Sequence, residues 1–200
     1  MRILVIGGSG TIGKRVVAGL NDKHEVLTAG RNSGDVRVQI EDSRSIRSLY
    51  ESIGKLNGVV SIAGEAKWAS LAELTEEDYL YGLKNKLMGQ VNLVRLGQEY
   101  LNSNGSFTLT SGILAEDPVV GTSSAAMING ALHGFVKAAA LEMREGKRIN
   151  VVAPGRVEDS YLKFKEFFPG RNAVPMDRVV NAYIRSIEGR ANGEIIRVYI

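Results

Sequence analysis

Short apolar runs rich in β-branched residues alternate with stretches of helical spacing along the whole chain. The runs are 2–7 (RILVIG), 24–30 (HEVLTAG), 35–40 (DVRVQI), 58–64 (GVVSIAG), 105–112 (GSFTLTSG), 148–155 (RINVVAPG) and 194–200 (EIIRVYI). Between them, apolar residues recur every three or four positions over 11–20, 43–53, 76–101, 121 to about 143, and 177–189. Each run is short, and glycine closes most of them, which suits a strand buried on both faces. Strands that alternate with helices pair in parallel, because each helix carries the chain back across the sheet. The expected fold is therefore α/β: a doubly wound parallel sheet of about seven strands, helices on both faces, one domain over residues 1–200. Thr75 followed by Asp78 marks a helix start before the long periodic stretch.

Composition narrows the partners. The chain is 44% hydrophobic with a net charge of +3, so it can bury a core and has no disorder signature. No Lys/Arg-rich run is present, which argues against nucleic acid as a partner. No apolar run approaches the roughly 18 residues of a membrane span. The chain has no cysteine, which excludes disulfides and thiol chemistry and fits a cytoplasmic location. His24 and His133 lie far apart with no acid at ligand spacing, so no metal site is expected.

The first strand runs into Gly7, Ser9, Gly10, Thr11, Ile12 and Gly13, a G-x-x-G-x-x-G turn that opens a helix. One glycine permits the tight turn, one lets the backbone approach a diphosphate, and one lets the helix pack close to the sheet. The helix N-terminus offers free N–H groups and partial positive charge to the phosphates. At the tip of the second strand stand Arg31, Asn32 and Ser33, with no acid among them. An acid there would suit a ribose 2′-hydroxyl, whereas arginine suits a 2′-phosphate. The expected cofactor is NADP(H) in preference to NAD(H).

With these residues placed, the chain resembles the short-chain dehydrogenases/reductases over almost its whole length. The resemblance rests on "GGSGTIG", on "SIAG" with Ala63 and Gly64 at the end of the fourth strand, on "LTSG" and on "INVVAPGRV". It implies a Rossmann fold and sets Ser111 on the catalytic serine, where it would hold a carbonyl oxygen. Pro154, Gly155 and Val157 would line the nicotinamide pocket. Gln39, with Ile40 beside it, would replace an adenine-binding aspartate. Residues 156–176 would cover the substrate. Assembly as a homodimer or homotetramer through the helices flanking the fifth strand is also implied.

The sequence departs from the family where the proton donor should be. Members carry a Tyr-x-x-x-Lys pair in the helix after the fifth strand; here one alignment sets Ala125 and Asn129 at those positions, and a shift by one sets Ser124 and Ile128. On the preceding helix a supporting asparagine is expected, and Lys86 stands there in one register. Lys86 and Asn129 would then be an exchanged pair, with Lys86 supplying the positive charge. The neighbouring register gives Asn85 that place and leaves Lys86 a solvated charge. Other donors are Tyr79, Tyr81 and Tyr161, the last in a literal Tyr-x-x-x-Lys with Lys165. Tyr161, Phe164, Phe167 and Phe168 are expected to form an apolar lid, and Trp68 to edge the cleft or pack. Ala125, Ala126, Gly130, Ala131, Gly134 and Ala138 offer a small-residue packing face.

Two functions are compatible with these residues. One is NADP(H)-dependent hydride transfer to or from a carbonyl or alcohol with a non-standard acid. The other is a nucleotide-binding sensor or scaffold that has lost the chemistry. A blocked or wholly apolar pocket would favour the second.

Overall fold

The structure, a computed structural model, describes residues 1–160 and 165–199. Strand β1 (Arg2–Ile6) shows how it is built: Ile3 and Val5 enter one core cluster, Leu4 and Ile6 another. A strand apolar on both sides belongs in the middle of a sheet covered on both faces. β1 pairs in parallel with β2 (Glu25–Gly30) on one side and β4 (Leu56–Ser61) on the other. With β3 (Val36–Arg37), β5 (Leu101–Thr110), β6 (Arg148–Pro154) and β7 (Ile195–Val198), the seven parallel strands run in the order β3-β2-β1-β4-β5-β6-β7.

Helices α1 (Thr11–Asn21) and α6 (Met176–Glu188) cover the Ile3/Val5 face with Val16, Leu20, Val179 and Tyr183. The Leu4/Ile6 face is covered by α2 (Ser43–Ile53), α4 (Met88–Gly97) and α5 (Ser123–Glu142), through Ile46, Tyr50, Leu93, Leu132 and Val136. The strand order reverses between β1 and β4, and ligand crevices of doubly wound sheets open there, beyond the carboxyl ends of the strands. Among the described residues, no helix is long and apolar enough to cross a membrane.

Two elements differ from expectation. The third strand keeps only two residues, because this edge strand pairs only with Ala29 and Gly30. Gln39 lies beyond it, its N–H donating to Ser45 Oγ at 3.0 Å. The stretch 76–101 is not one helix either. Helix α3 (Glu76–Gly82) starts on the expected capping box, with Asp78 N–H donating to Thr75 Oγ1 (3.3 Å) and Thr75 N–H to Asp78 Oδ2 (3.0 Å). A π-helical turn, Leu83–Leu87, then separates it from α4. Such turns concentrate at functional sites.

Candidate active site

The glycine turn forms one wall of a groove of about 430 Å³ at the β1/β4 switch point. Gly7, Ser9, Gly10, Arg31, Asn32, Ser33, Ile40, Ala63 and Gly64 all line it. Thr11 and Gly13 open α1 beside them, and Gly10, the residue before the helix, caps it with no side-chain hydrogen bond. The first N–H groups of a helix have no partner within it, so this end can receive an anion. Gln39 does not line the groove; Val38 and Ile40 do. The alternation of side chains past the short third strand turns Gln39 outward and its neighbours inward.

Sequence reasoning missed an acid here. Glu41 also lines the groove, and its Oε1 lies 2.7 Å from Arg31 Nη2. Asn85 Nδ2 donates to Glu41 Oε2 at 3.3 Å, while Asn85 Oδ1 accepts from Glu65 N–H at 2.8 Å. Ser33 Oγ donates to Ser9 Oγ at 2.7 Å, tying the second-strand tip to the glycine turn.

A second cleft, of about 420 Å³, meets this groove at Gly64 and Glu65. Ile12, Lys86, Ser111, Ala125, Asn129, Pro154, Gly155 and Val157 line it, so residues from five separate segments converge there. Gly64 sets the approach: its φ is +115°, and a Cβ there would stand 2.7 Å from Lys86 Cα. The π-helical turn therefore seats against the end of β4, with Asn85 in the groove and Lys86 in the cleft. Lys86 opens only partly to this cleft. Burial of its ammonium pushes its pKa down to about 8, so it is not a solvated surface charge.

On α5, Ala125 and Asn129 line the cleft, whereas Ser124 and Ile128 are buried away from it. The helix thus presents an alanine and an amide where the resemblance calls for a phenol and an amine. Asn129 Oδ1 is buried with no hydrogen-bond partner among the described residues, so it does not bond Lys86. Tyr79 is not a donor into the cleft; its hydroxyl bonds Ser123 Oγ at 2.8 Å. Tyr81 donates to Glu65 Oε2 at 3.1 Å. Tyr161 and Phe164 lie outside the described residues.

Ser111 is held from two sides. Its N–H donates to Val152 O at 2.9 Å. The fully buried Gln90 grips the preceding residue with both amide atoms, accepting from Thr110 N–H (2.8 Å) and donating to Thr110 O (2.9 Å). The Ser111 hydroxyl lies 2.8 Å from His133 Nε2, and His133 Nδ1 lies 3.9 Å from Glu116 Oε1. Arg197 Nη2 donates to Glu116 at 2.5 Å and Tyr199 OH at 2.6 Å, holding that carboxyl down at about 2. Burial lowers the pKa of His133, against the pull of Glu116. The sequence alone offers His133 only as a candidate metal ligand. Its position one helical turn after Asn129 was the signal that could have found it.

The described part of residues 156–176 contributes Arg156, Val157, Ser160 and Phe168 to the cleft lining. Phe168 lines it and packs with Ile113, Leu114 and Ala125. Arg156 fastens the segment, donating to Arg171 O at 2.7 Å and lying 5.6 Å from the Phe168 ring centroid. Trp68 lines the cleft and meets the Phe167 ring edge-on, 6.0 Å between centroids.

Known proteins share this architecture. The protein lin1944 from Listeria innocua, known from a crystal structure, is 49% identical, with 100% of each chain covered and a TM-score of 0.98. A small-chain dehydrogenase crystallised in complex with NADPH is 26% identical, with 99% of this chain and 96% of that one covered and a TM-score of 0.88. Among curated sequences, the short-chain dehydrogenase/reductase aba4 of Botryotinia fuckeliana is 28% identical over 151 residues, 70% of this chain. The chain spans only 57% of the length of that relative. A family profile described as enoyl-(acyl carrier protein) reductase matches residues 10–182. That match takes in the glycine turn from Gly10 onward, the cleft and the helix bearing the altered pair, and the chain belongs to the short-chain dehydrogenase/reductase family.

Proposed function

We propose that this chain is an NADP(H)-dependent oxidoreductase acting on a carbonyl or alcohol group. The observation that carries this reading is the convergence of Ser111, Lys86 and Asn129 in one open cleft that joins the groove of the glycine turn. The residues present fit a dinucleotide. Gly13 has no room for a Cβ above the turn, α1 begins without a side-chain cap, and the groove and cleft are continuous through Gly64. The first turn of α1 would hold the diphosphate, and Arg31, Asn32, Ser33 and Ser9 the 2′-phosphate. Val38 and Ile40 would flank the adenine, and Pro154, Gly155 and Val157 the nicotinamide. When bound, NADPH would supply a hydride there. Ser111 Oγ holds the substrate oxygen, Lys86 supplies positive charge, and Asn129 Oδ1 accepts a hydrogen bond from whatever donor enters. Residues 156–176 act as the substrate cover.

The cleft is open and largely apolar but carries Ser111, Lys86 and Asn129, which supports this reading over a sensor without chemistry, since a sensor would need no serine, amine and amide in one cleft. One observation favours NAD(H) instead: Glu41 stands beside Arg31 in the groove, and an acid suits ribose hydroxyls. Fluorescence titration with NADPH and NADH, followed by nucleotide consumption over a panel of aldehydes and ketones, tests both. NADPH is expected to bind more tightly. Ser111→Ala should lower turnover by ~10²-fold, the cost of losing a donor to a developing oxyanion, with nucleotide affinity unchanged. Failure to bind either nucleotide, or full turnover in Ser111→Ala, overturns the reading.

The same reading includes assembly as a homodimer or homotetramer through α4 and α5. Gly130 and Gly134 on α5 face open space, and Met127 and Leu141 are exposed on that helix. Light scattering should give a multiple of the 21.7 kDa chain mass; the single-chain mass would rule it out. The cysteine-free chain suits the cytoplasm.

A further inference from the structure

The missing phenol leaves a chemical problem. A carbonyl that gains a hydride must also gain a proton, and a lone serine hydroxyl is far too weak an acid to give one near neutral pH. Ser111 is not alone. We propose that His133 is the proton reservoir behind Ser111, and that the Ser111 hydroxyl passes protons between the substrate oxygen and His133 Nε2. The inference rests on the carbonyl–alcohol reading above and names the group that makes it chemically complete.

The geometry runs in one line from the cleft to the surface. Ser111 lines the cleft, and its Oγ is 2.8 Å from His133 Nε2. Beyond the ring, Nδ1 faces Glu116 at 3.9 Å, a charge contact longer than a hydrogen bond. Glu116 is in turn fixed by Arg197 and Tyr199. A carboxylate on that side favours the tautomer with its proton on Nδ1, which leaves Nε2 to exchange protons with Ser111. The ring comes from α5 and touches the hydroxyl from behind, so it reaches the substrate only through Ser111. His133 is thus a positioning residue, and Ser111 is the catalytic one.

The step balances. In reduction, the carbonyl carbon takes the hydride and its oxygen takes the Ser111 proton. Ser111 Oγ regains a proton from Nε2, and His133 passes from imidazolium to neutral imidazole. One solvent proton recharges it after the alcohol leaves. Oxidation runs the same transfers in reverse.

The charged groups around the ring set the pH at which this works. Glu116 favours imidazolium; burial, Arg197 and Lys137 oppose it, and together they hold His133 below its ordinary value of 6.5. Reduction should therefore fall as pH rises through a limb below 6.5, apart from any effect of Lys86 near 8.

The test is the pH profile of kcat/KM for carbonyl reduction, read beside an NMR titration of the imidazoles. The chain has two histidines, so His24 is the only other signal. In the parent the kinetic limb and the His133 titration should coincide. His133→Gln should lose the limb, slow reduction by ~10²-fold and keep its affinity for NADPH. Glu116→Gln should move the limb and the His133 titration down together, which a purely structural role would not do. A His133→Gln protein that keeps its rate and limb overturns the relay while leaving the oxidoreductase reading intact. If that variant does not fold, a limb that stays put in Glu116→Gln while the imidazole moves has the same force. A parent that binds NADPH but reduces no carbonyl ends both.

Discussion

Lys86→Met is expected to raise the melting temperature of the nucleotide-free chain and to weaken its grip on NADPH. The two effects have one cause. Burial pushes the Lys86 ammonium down from 10.5 to about 8, so below pH 8 the native chain carries a poorly solvated charge that the unfolded chain solvates freely. Between about 8 and 10.5 the unfolded state holds a proton that the native state has released, so stability rises with pH across that window. Removing the amine removes the penalty. Its ceiling is on the order of 3 kcal/mol, and water in the cleft reduces this to about 1–2 kcal/mol. For a chain of this size that is roughly 2–8 °C. The difference between parent and variant should shrink as pH rises from 8 towards 10.5. Methionine fills the space of the stem but offers no charge to the cofactor, and NADPH should bind at least ~10-fold more weakly, about 1.4 kcal/mol. Scanning calorimetry with and without NADPH measures both. A variant that melts lower, or binds NADPH as the parent does, would show that Lys86 is neither strained nor used.

The strand-and-helix order was legible because both periods are local. Ile3 and Val5 against Leu4 and Ile6 show a strand buried on both faces within five residues. The edge where the groove and cleft lie followed from the same logic. In a parallel sheet every strand ends at the same edge, so Gly7, Ala63, Ser111 and Pro154 had to meet there once the strands were placed. What the chain hid depends on distant pairing. Arg31 looked like an unopposed cation because Glu41, ten positions on, reaches it only after the edge strand has stopped short. The resemblance sets Gln39 at the adenine, but the third strand ends at Arg37 and Gln39, beyond it, turns outward.

The π-helical turn at Leu83–Leu87 left no periodic trace, since one extra residue in a turn is lost among helix-forming neighbours. It nevertheless places the two candidates apart: Asn85 faces one chamber and Lys86 the other. His133 was passed over because a single histidine on an apolar helix is ordinary. Only the fold brings the end of β5 against the second turn beyond Ala125, and then the imidazole touches Ser111.

Gly13→Ala should unfold the turn on which the whole cofactor site rests. By helix propensity alone the change would be favourable by ~1 kcal/mol, since alanine exceeds glycine in a helix interior. Position 13 reverses that sign. An added Cβ would stand 2.1 Å from Gly7 O and 2.9 Å from both Gly7 C and Gly8 Cα. All three atoms are backbone, so no side chain can swing aside. The turn cannot shift freely, because Gly7 N–H donates to Ala29 O (2.8 Å) and Gly10 N–H donates to the crowded Gly7 O (3.1 Å). Helix α1 must move away from β1 instead, which opens the contacts of Val16 and Leu20 in the core and displaces the first turn from the groove. The expected cost is about 3 kcal/mol, the upper part of the range for overpacking, together with loss of measurable NADPH binding. Denaturant unfolding and nucleotide titration of one preparation test the two claims together. A Gly13→Ala chain as stable as its parent and still binding NADPH would show that the helix does not need this approach, and the glycine turn would lose its place as the anchor of the site.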